Sequence, residues 1–245
     1  MKKTILALAA LVGASAAFAD VAAPAATTAK SYSVTLDNTI ASEYIFRGLE
    51  VADTTFHPSV EVAYGDLYAG VWGALPFTND AGKDYKEFDF YTGYGYALND
   101  TWKLDAGVTH YYYGDTAGLR DTTEFYLGVN GKVSVLTTSV YGYYDIDLQA
   151  TTFIGSLGYS LPIKQIGTSL DFTATLGYVD AGENPSAESA DYTYWGLAVA
   201  VPYKLSDTAT VTAGVAYTNG NRNSTINGLA LKDQVVGTIG LTVGF

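Results

Sequence analysis

The chain has 245 residues and a formal net charge of −12, with no cysteine, two histidines and one methionine against 26 glycines and 21 tyrosines. Without cysteine it can form no disulfide framework, thiolate nucleophile or thiolate metal site, and its acidic balance is the wrong sign for a nucleic-acid-binding face. Only 16% of its residues are charged, too few to supply the polar faces of many amphipathic helices.

Residues 1–19 read MKKTILALAALVGASAAFA: two lysines, an apolar run from Ile5, and Ala17-Phe18-Ala19 as a small-x-small cleavage site. This is the layout of a secretory signal peptide, and the apolar run is too short to span a membrane. A mature chain beginning at Asp20 is predicted. Residues 20–30, alanine-rich and carrying Pro24, read as a flexible N-terminal segment. Residues 31–245 are predicted to form one all-β domain.

Period-2 alternation between turn signals marks the strands. In EFDFYTGYGY, Phe88, Phe90, Thr92, Tyr94 and Tyr96 share one face, and Glu87, Asp89, Tyr91, Gly93 and Gly95 the other. WKLDAGVTHY from Trp102 and SLDFTATLGY from Ser169 repeat the pattern. The spacing predicts about twelve strands, near 31–46, 57–64, 67–77, 87–97, 101–113, 122–130, 133–144, 150–161, 168–178, 191–204, 208–218 and 233–245. The boundary at residues 146–149 is the weakest, and ten strands is the alternative count. Connections alternate in length. Gly65-Asp66, Leu98-Asn99-Asp100, Asn130-Gly131, residues 162–167 and Leu205-Ser206-Asp207 are short, whereas TNDAGKDYK, GDTAGLRD, VDAGENPSAESAD and TNGNRNSTINGLALK are long. Short turns at one end and long loops at the other predict a transmembrane antiparallel β-barrel.

Energetics orients the strands. A charge on the lipid face costs up to about 2–4 kcal/mol at the midplane, so the face carrying Glu61, Glu87, Asp89, Lys103, Asp105, Glu124 and Asp171 must turn inward. Aromatic belts are then predicted at Tyr64, Tyr96, Trp102, Tyr159, Tyr203 and Phe245 near the short turns, and at Phe46, Phe77, Tyr112, Tyr178 and Tyr217 near the long loops. The alternative, a soluble sandwich or lipocalin-like barrel with the same alternation turned inward, would leave the aromatic belts in water.

Two resemblances follow from motifs. The final strand, LTVGF ending on Phe245, resembles the terminal signature of Gram-negative outer-membrane barrels, which implies recognition of Phe245 by the barrel assembly machinery. The run Ser42, Tyr44, Phe46, Arg47 and Gly48, then Pro58 and Val60, then Tyr68, Gly70 and Trp72, then Glu87, Asp89, Tyr91 and Gly93 resembles the N-terminal signature of the TorF-type porin family. That family resemblance, strongest over residues 40–95, implies a small outer-membrane pore.

Strand parity puts Arg47 on the lumen side near the outer mouth. Two readings stand: an ion pair with an inward carboxylate such as Glu43, Glu61 or Asp89, because buried charge needs a partner, or a charged group lining a constriction. Tyr68 and Trp72 share the lumen face, as lumen filling or as stacking platforms. Inward Gly93, Gly95 and Gly107 mark strand curvature or leave room for large neighbours. His57, at a loop edge, and His110, on an outward face, form no Ser-His arrangement, so no catalytic residue is assigned. No metal-ligand spacing and no cofactor motif is present.

The resulting expectation is a bacterial outer-membrane barrel reached by signal-peptide-directed export, in contact with outer-membrane lipids and the assembly machinery. It would pass small-molecule solutes passively with a mild cation preference. The lumen candidates are Arg47, Glu43, Glu61, Tyr68, Trp72, Asp89, Lys103, Asp105, Glu124 and Asp171. The competing expectation is a non-conducting adhesin or scaffold that acts through its external loops.

Overall fold

The computed structural model describes residues 32–77, 86–114, 120–181, 191–220, 224–226, 229–231 and 233–245; the predicted signal peptide and N-terminal segment lie outside the described residues. Among the described residues every regular element is a strand. In chain order these are β1 (Tyr32–Ala41), β2 (Tyr44–Phe46), β3 (Leu49–Ala52), β4 (Thr55–Tyr64), β5 (Leu67–Pro76), β6 (Glu87–Ala97), β7 (Trp102–Tyr112) and β8 (Thr122–Val133). They continue as β9 (Leu136–Asp145), β10 (Ala150–Ile163), β11 (Thr168–Asp180), β12 (Tyr192–Lys204), β13 (Ala209–Gly220), β14 (Ser224–Ile226), β15 (Leu229–Leu231) and β16 (Gln234–Gly244).

Twelve of them close an antiparallel barrel in the order β1-β16-β13-β12-β11-β10-β9-β8-β7-β6-β5-β4, and β1 pairs β4 to complete the ring. Twelve is therefore the strand count, not ten; the turn at residues 146–149 separates β9 from β10. Each wall strand has 10–14 residues, enough for a tilted crossing of a bilayer core. The seam is tight: Phe245 N donates to Val34 O at 2.9 Å and Val34 N to Phe245 O at 3.2 Å.

The distribution of side chains is that of a soluble protein turned inside out. Glu61, Glu87, Asp89, Asp105, Glu124, Asp145 and Asp171 are buried, while Val62, Phe90, Phe125, Leu127, Val140, Leu157, Leu176, Leu197 and Ile239 are exposed around the outer wall. A continuous apolar band of this extent is stable only against hydrocarbon. Tyr64, Tyr96 and Tyr203 fringe it at the short-turn end, and Phe77, Tyr112 and Tyr178 at the long-loop end.

Three local expectations are corrected. The predicted strand over 31–46 stops at Ala41; residues 44–52 leave the wall as the β2–β3 hairpin, which joins β15 and β14 in a second, four-stranded sheet. Phe46 is consequently absent from the outer aromatic belt and packs against Tyr111, 6.1 Å between ring centroids. Asn130-Gly131 is no turn. Asn130 is buried and its Nδ2 donates to Tyr141 Oη at 2.8 Å, so β8 runs on to Val133 and the chain reverses at Ser134-Val135, with Ser134 at φ 58°. His57 lies inside β4 rather than at a loop edge, packed on Trp72 (4.9 Å) and Tyr44 (5.3 Å).

Candidate functional site in the barrel lumen

The interior divides along the ring. On β4 to β9 the inward positions carry tyrosines and carboxylates that fill the lumen and satisfy one another. Tyr68 Oη donates to Asp105 Oδ1 at 2.9 Å and lies 2.6 Å from Tyr126 Oη. Tyr141 Oη donates to Asp105 Oδ2 at 3.0 Å, and Tyr91 Oη to Glu61 Oε2 at 3.1 Å. These rings have room because of glycine. In the strand register Gly70 faces Tyr91, Gly93 faces Tyr68, Gly107 faces Tyr126 and Gly128 faces Tyr141. A Cβ on any of the four would collide with the ring opposite. Lys103 is half-buried and lies across Gly95 in the same way.

On β10 to β13, β16 and β1 most inward positions are small, apart from Ile154, Val179, Tyr192, Tyr194 and Val236 toward the long-loop end. Ser156, Thr173, Thr175, Thr212, Thr238 and Thr242 remain half-exposed to the interior. Two carboxylates stand among them. Asp37 accepts from Thr39 at 2.8 Å and from Thr242 at 2.6 Å, and Asp171 accepts from Ser160 at 2.6 Å. A small recess of about 50 Å³ opens on this side, lined by Ile154, Tyr194, Leu197 and Tyr217 as well as Thr173 and Thr175, with Arg47 and Gly48 at its edge.

Arg47 enters from the β2–β3 hairpin. Phe46 pairs with Leu49, so Arg47 and Gly48 are the two central residues of the turn, at φ 51° and 84°. Two successive positive φ values are what a tight hairpin turn of the right twist requires. Glycine takes the second without penalty, whereas arginine in the left-handed region costs about 1 kcal/mol. The side chain compensates. Nη2 and Nη1 meet Glu124 Oε1 and Oε2 at 2.7 and 2.8 Å, and Nη1 also donates to Thr152 Oγ1 at 2.9 Å. The guanidinium stacks 4.9 Å from the centre of the Tyr143 ring. Glu124, rather than Glu43, Glu61 or Asp89, is the carboxylate it grips.

The hairpin therefore crosses the lumen. It begins beside β1, and β9 stands opposite β1 in the ring; Glu124 and Thr152 lie on β8 and β10, which flank β9. At its base Tyr44 is fully buried, donating to Glu87 Oε2 at 2.9 Å and packed on Trp72 at 5.7 Å. Near its tip Leu49 joins Val179, Tyr192 and Tyr194 in one buried cluster. All these wall contacts lie toward the long-loop end.

The other sequence candidates are placed as follows. Asp89 is buried, its Oδ1 without a hydrogen-bond partner among the described residues, and Glu43 is half-buried at the bend between β1 and β2. Sequence reasoning missed Thr152, Tyr143, Tyr192 and Tyr194, which surround the hairpin tip. It also placed Arg47 by extending the parity of the strand predicted over 31–46, and did not read Arg47-Gly48 as the turn of a hairpin.

Comparison with solved structures finds the same barrel in the NanC porin, at 12% sequence identity and a TM-score of 0.54, covering 86% of this chain and 98% of that one. The KdgM porin in complex with disordered oligogalacturonate aligns at 12% identity and 0.55, covering 87% and 99%. No curated protein matches the chain by sequence. A family described as "Bacterial protein of unknown function (Gcw_chp)" matches over residues 25–242.

Proposed function

The chain belongs to the Gcw_chp family, and we propose that it is a porin-like channel of the bacterial outer membrane that passes small polar solutes. The observation that carries this reading is the row of half-exposed hydroxyls, Ser156, Thr173, Thr175, Thr212, Thr238 and Thr242, on the lumen face opposite the packed tyrosine half. A barrel serving only as a scaffold has no need of such a division. The apolar outer band and the barrel fold shared with two porins support the membrane setting. The Ser42-to-Gly93 motif series supports the narrower assignment to the TorF-type porins. Export by cleavage after residue 19, insertion by the barrel assembly machinery through the strand ending at Phe245, and outer-membrane lipids as the surrounding solvent belong to the same proposal. No catalytic chemistry is assigned.

Conductance of the refolded protein in a planar bilayer tests the reading: discrete steps are expected. Absence of conductance after removal of the lumen hairpin would overturn it. One observation favours a second reading. The hairpin is buried across the lumen, and were it immovable the barrel would be a closed scaffold acting through its external loops.

A further inference from the structure

Granting the channel reading, on which this rests, we propose that the β2–β3 hairpin is a displaceable gate, latched at its tip by Arg47 and closing the outer half of the lumen. Four features of the molecule carry this.

The barrel does not need the hairpin. All twelve wall strands complete their ladders with one another, and β1 pairs directly with both β4 and β16. Removing residues 44–52 from the lumen breaks no wall hydrogen bond between strands.

The hairpin is weakly built. Its strands have three and four residues, with a register shift between Tyr44 and Ile45. Two-stranded hairpins of this size are marginal without tertiary support. The backbone ladder to β15 joins it to the loop segment between β13 and β16, and not to the wall.

Its grip on the far wall is concentrated. The contacts there are the guanidinium of Arg47 on Glu124, Thr152 and the Tyr143 ring, Phe46 on Tyr111, and the side chain of Leu49 in its small cluster. The turn that presents Arg47 holds a non-glycine residue at φ 51°, a conformation that persists only where surroundings over-determine it. Loss of the ion pair removes the group that does so.

Finally, the lumen beside the tip is not packed solid. A small recess of about 50 Å³ adjoins Arg47 and Gly48 between Tyr194 and the threonines Thr173, Thr175 and Thr218, so the tip has a loosely filled side toward which it can begin to move once the ion pair is lost.

The absence of cysteine makes a clean test possible. Leu49→Cys with Val179→Cys would tie the tip to the wall, the link being confirmed by mass. Oxidised barrels should lose at least tenfold of the wild-type time-averaged conductance and regain it on reduction. Glu124→Gln and Arg47→Gln should each raise open probability several-fold over wild type in the same bilayers. A linked protein that conducts as well as wild type overturns the gate and leaves the channel standing. If the link does not form, the Glu124→Gln recording decides, and an unchanged open probability overturns the gate. A variant with residues 43–53 replaced by a short Gly-Ser bridge should conduct steadily. Silence from that variant, folded by gel mobility, overturns the channel itself and the gate with it.

Discussion

Arg47 and Glu124, separated by 77 residues of sequence, meet in a two-pronged ion pair of 2.7 and 2.8 Å that is nearly sealed from water, with side-chain exposures of 10% and 4%. Such a pair is asymmetric in its energetics. Forming it offsets two desolvation penalties, but removing one partner strands a buried charge at about 3–5 kcal/mol. A hairpin that can leave the lumen has a cheaper escape, because Arg47 can return to water. In Glu124→Gln, limited trypsin digestion should therefore yield a new fragment ending at Arg47, while the thermal midpoint for loss of heat-modifiable gel mobility stays near wild type. A large fall in that midpoint with no cleavage at Arg47 would show that the pair staples the wall instead.

The barrel was legible in the sequence because alternation is a local signal. A one-residue slip would turn Glu87, Asp89 and Asp105 into the lipid, so the pattern itself states which face is which. The hairpin was not legible. Nothing local in residues 31–46 marks the departure of the hairpin from the wall, and the partners that hold it there, Glu124 and Thr152, lie on strands formed by residues 122–163. Asn130-Gly131 misled for the same reason: a local turn signal lost to a tertiary hydrogen bond on Tyr141, and Ser134 took the positive φ instead. Residues of the lumen face could be chosen by parity. Their partners lay across the barrel and could not.

The glycine–tyrosine pairing makes a stability prediction. A Cβ at Gly128 would overlap the ring of Tyr141, which is itself held by Asp105 and Asn130. The ring cannot yield without breaking those bonds, so Gly128→Ala should destabilise the barrel by about 1–3 kcal/mol, the range for overpacking. Gly237, with nothing within 4 Å of its added Cβ, is the control, and Gly237→Ala should stay within about 0.5 kcal/mol of wild type. Urea unfolding in lipid vesicles measures both. Equal effects at the two sites would mean that glycine acts through backbone entropy and not through the tyrosine rings.

Export gives a simpler prediction. The Ala17-Phe18-Ala19 site directs cleavage to the Ala19–Asp20 bond. Mass spectrometry of protein purified from membranes should find Asp20 at the N-terminus, and a retained Met1 would reject the signal-peptide reading.

The final prediction concerns ion preference, and the division of the lumen sharpens it. Glu61, Asp89 and Glu124 sit buried in the packed half, where Tyr91 donates to Glu61 and Arg47 holds Glu124. Asp37, half-exposed, and Asp171, buried, stand on the other half, each accepting only neutral hydroxyl hydrogen bonds. Among the described residues, the inward positions of β10 to β13, β16 and β1 carry no arginine, and their one lysine is Lys204 at the short-turn rim. Lys204 is itself engaged, with Nζ 2.9 Å from Asp207 Oδ1, and that hydrogen bond and charge hold the Asp207 carboxyl below the usual carboxylate range. On the channel reading, an ion entering from the short-turn end passes the carboxylates of Asp171 and Asp37 before it reaches Arg47 toward the long-loop end. Low-dielectric walls focus their field, and acidic side chains in a pore favour cations. In a tenfold KCl gradient the reversal potential should fall on the cation side. Asp37→Asn with Asp171→Asn should move it toward zero, whereas Glu61→Gln with Asp89→Asn should move it less. Raising the salt to 1 M, where the screening length falls to about 3 Å, should have the effect of the first pair. Anion selectivity of the unmodified channel, or a larger shift from the packed-half pair, would reject the hydroxyl-lined half as the path that ions take.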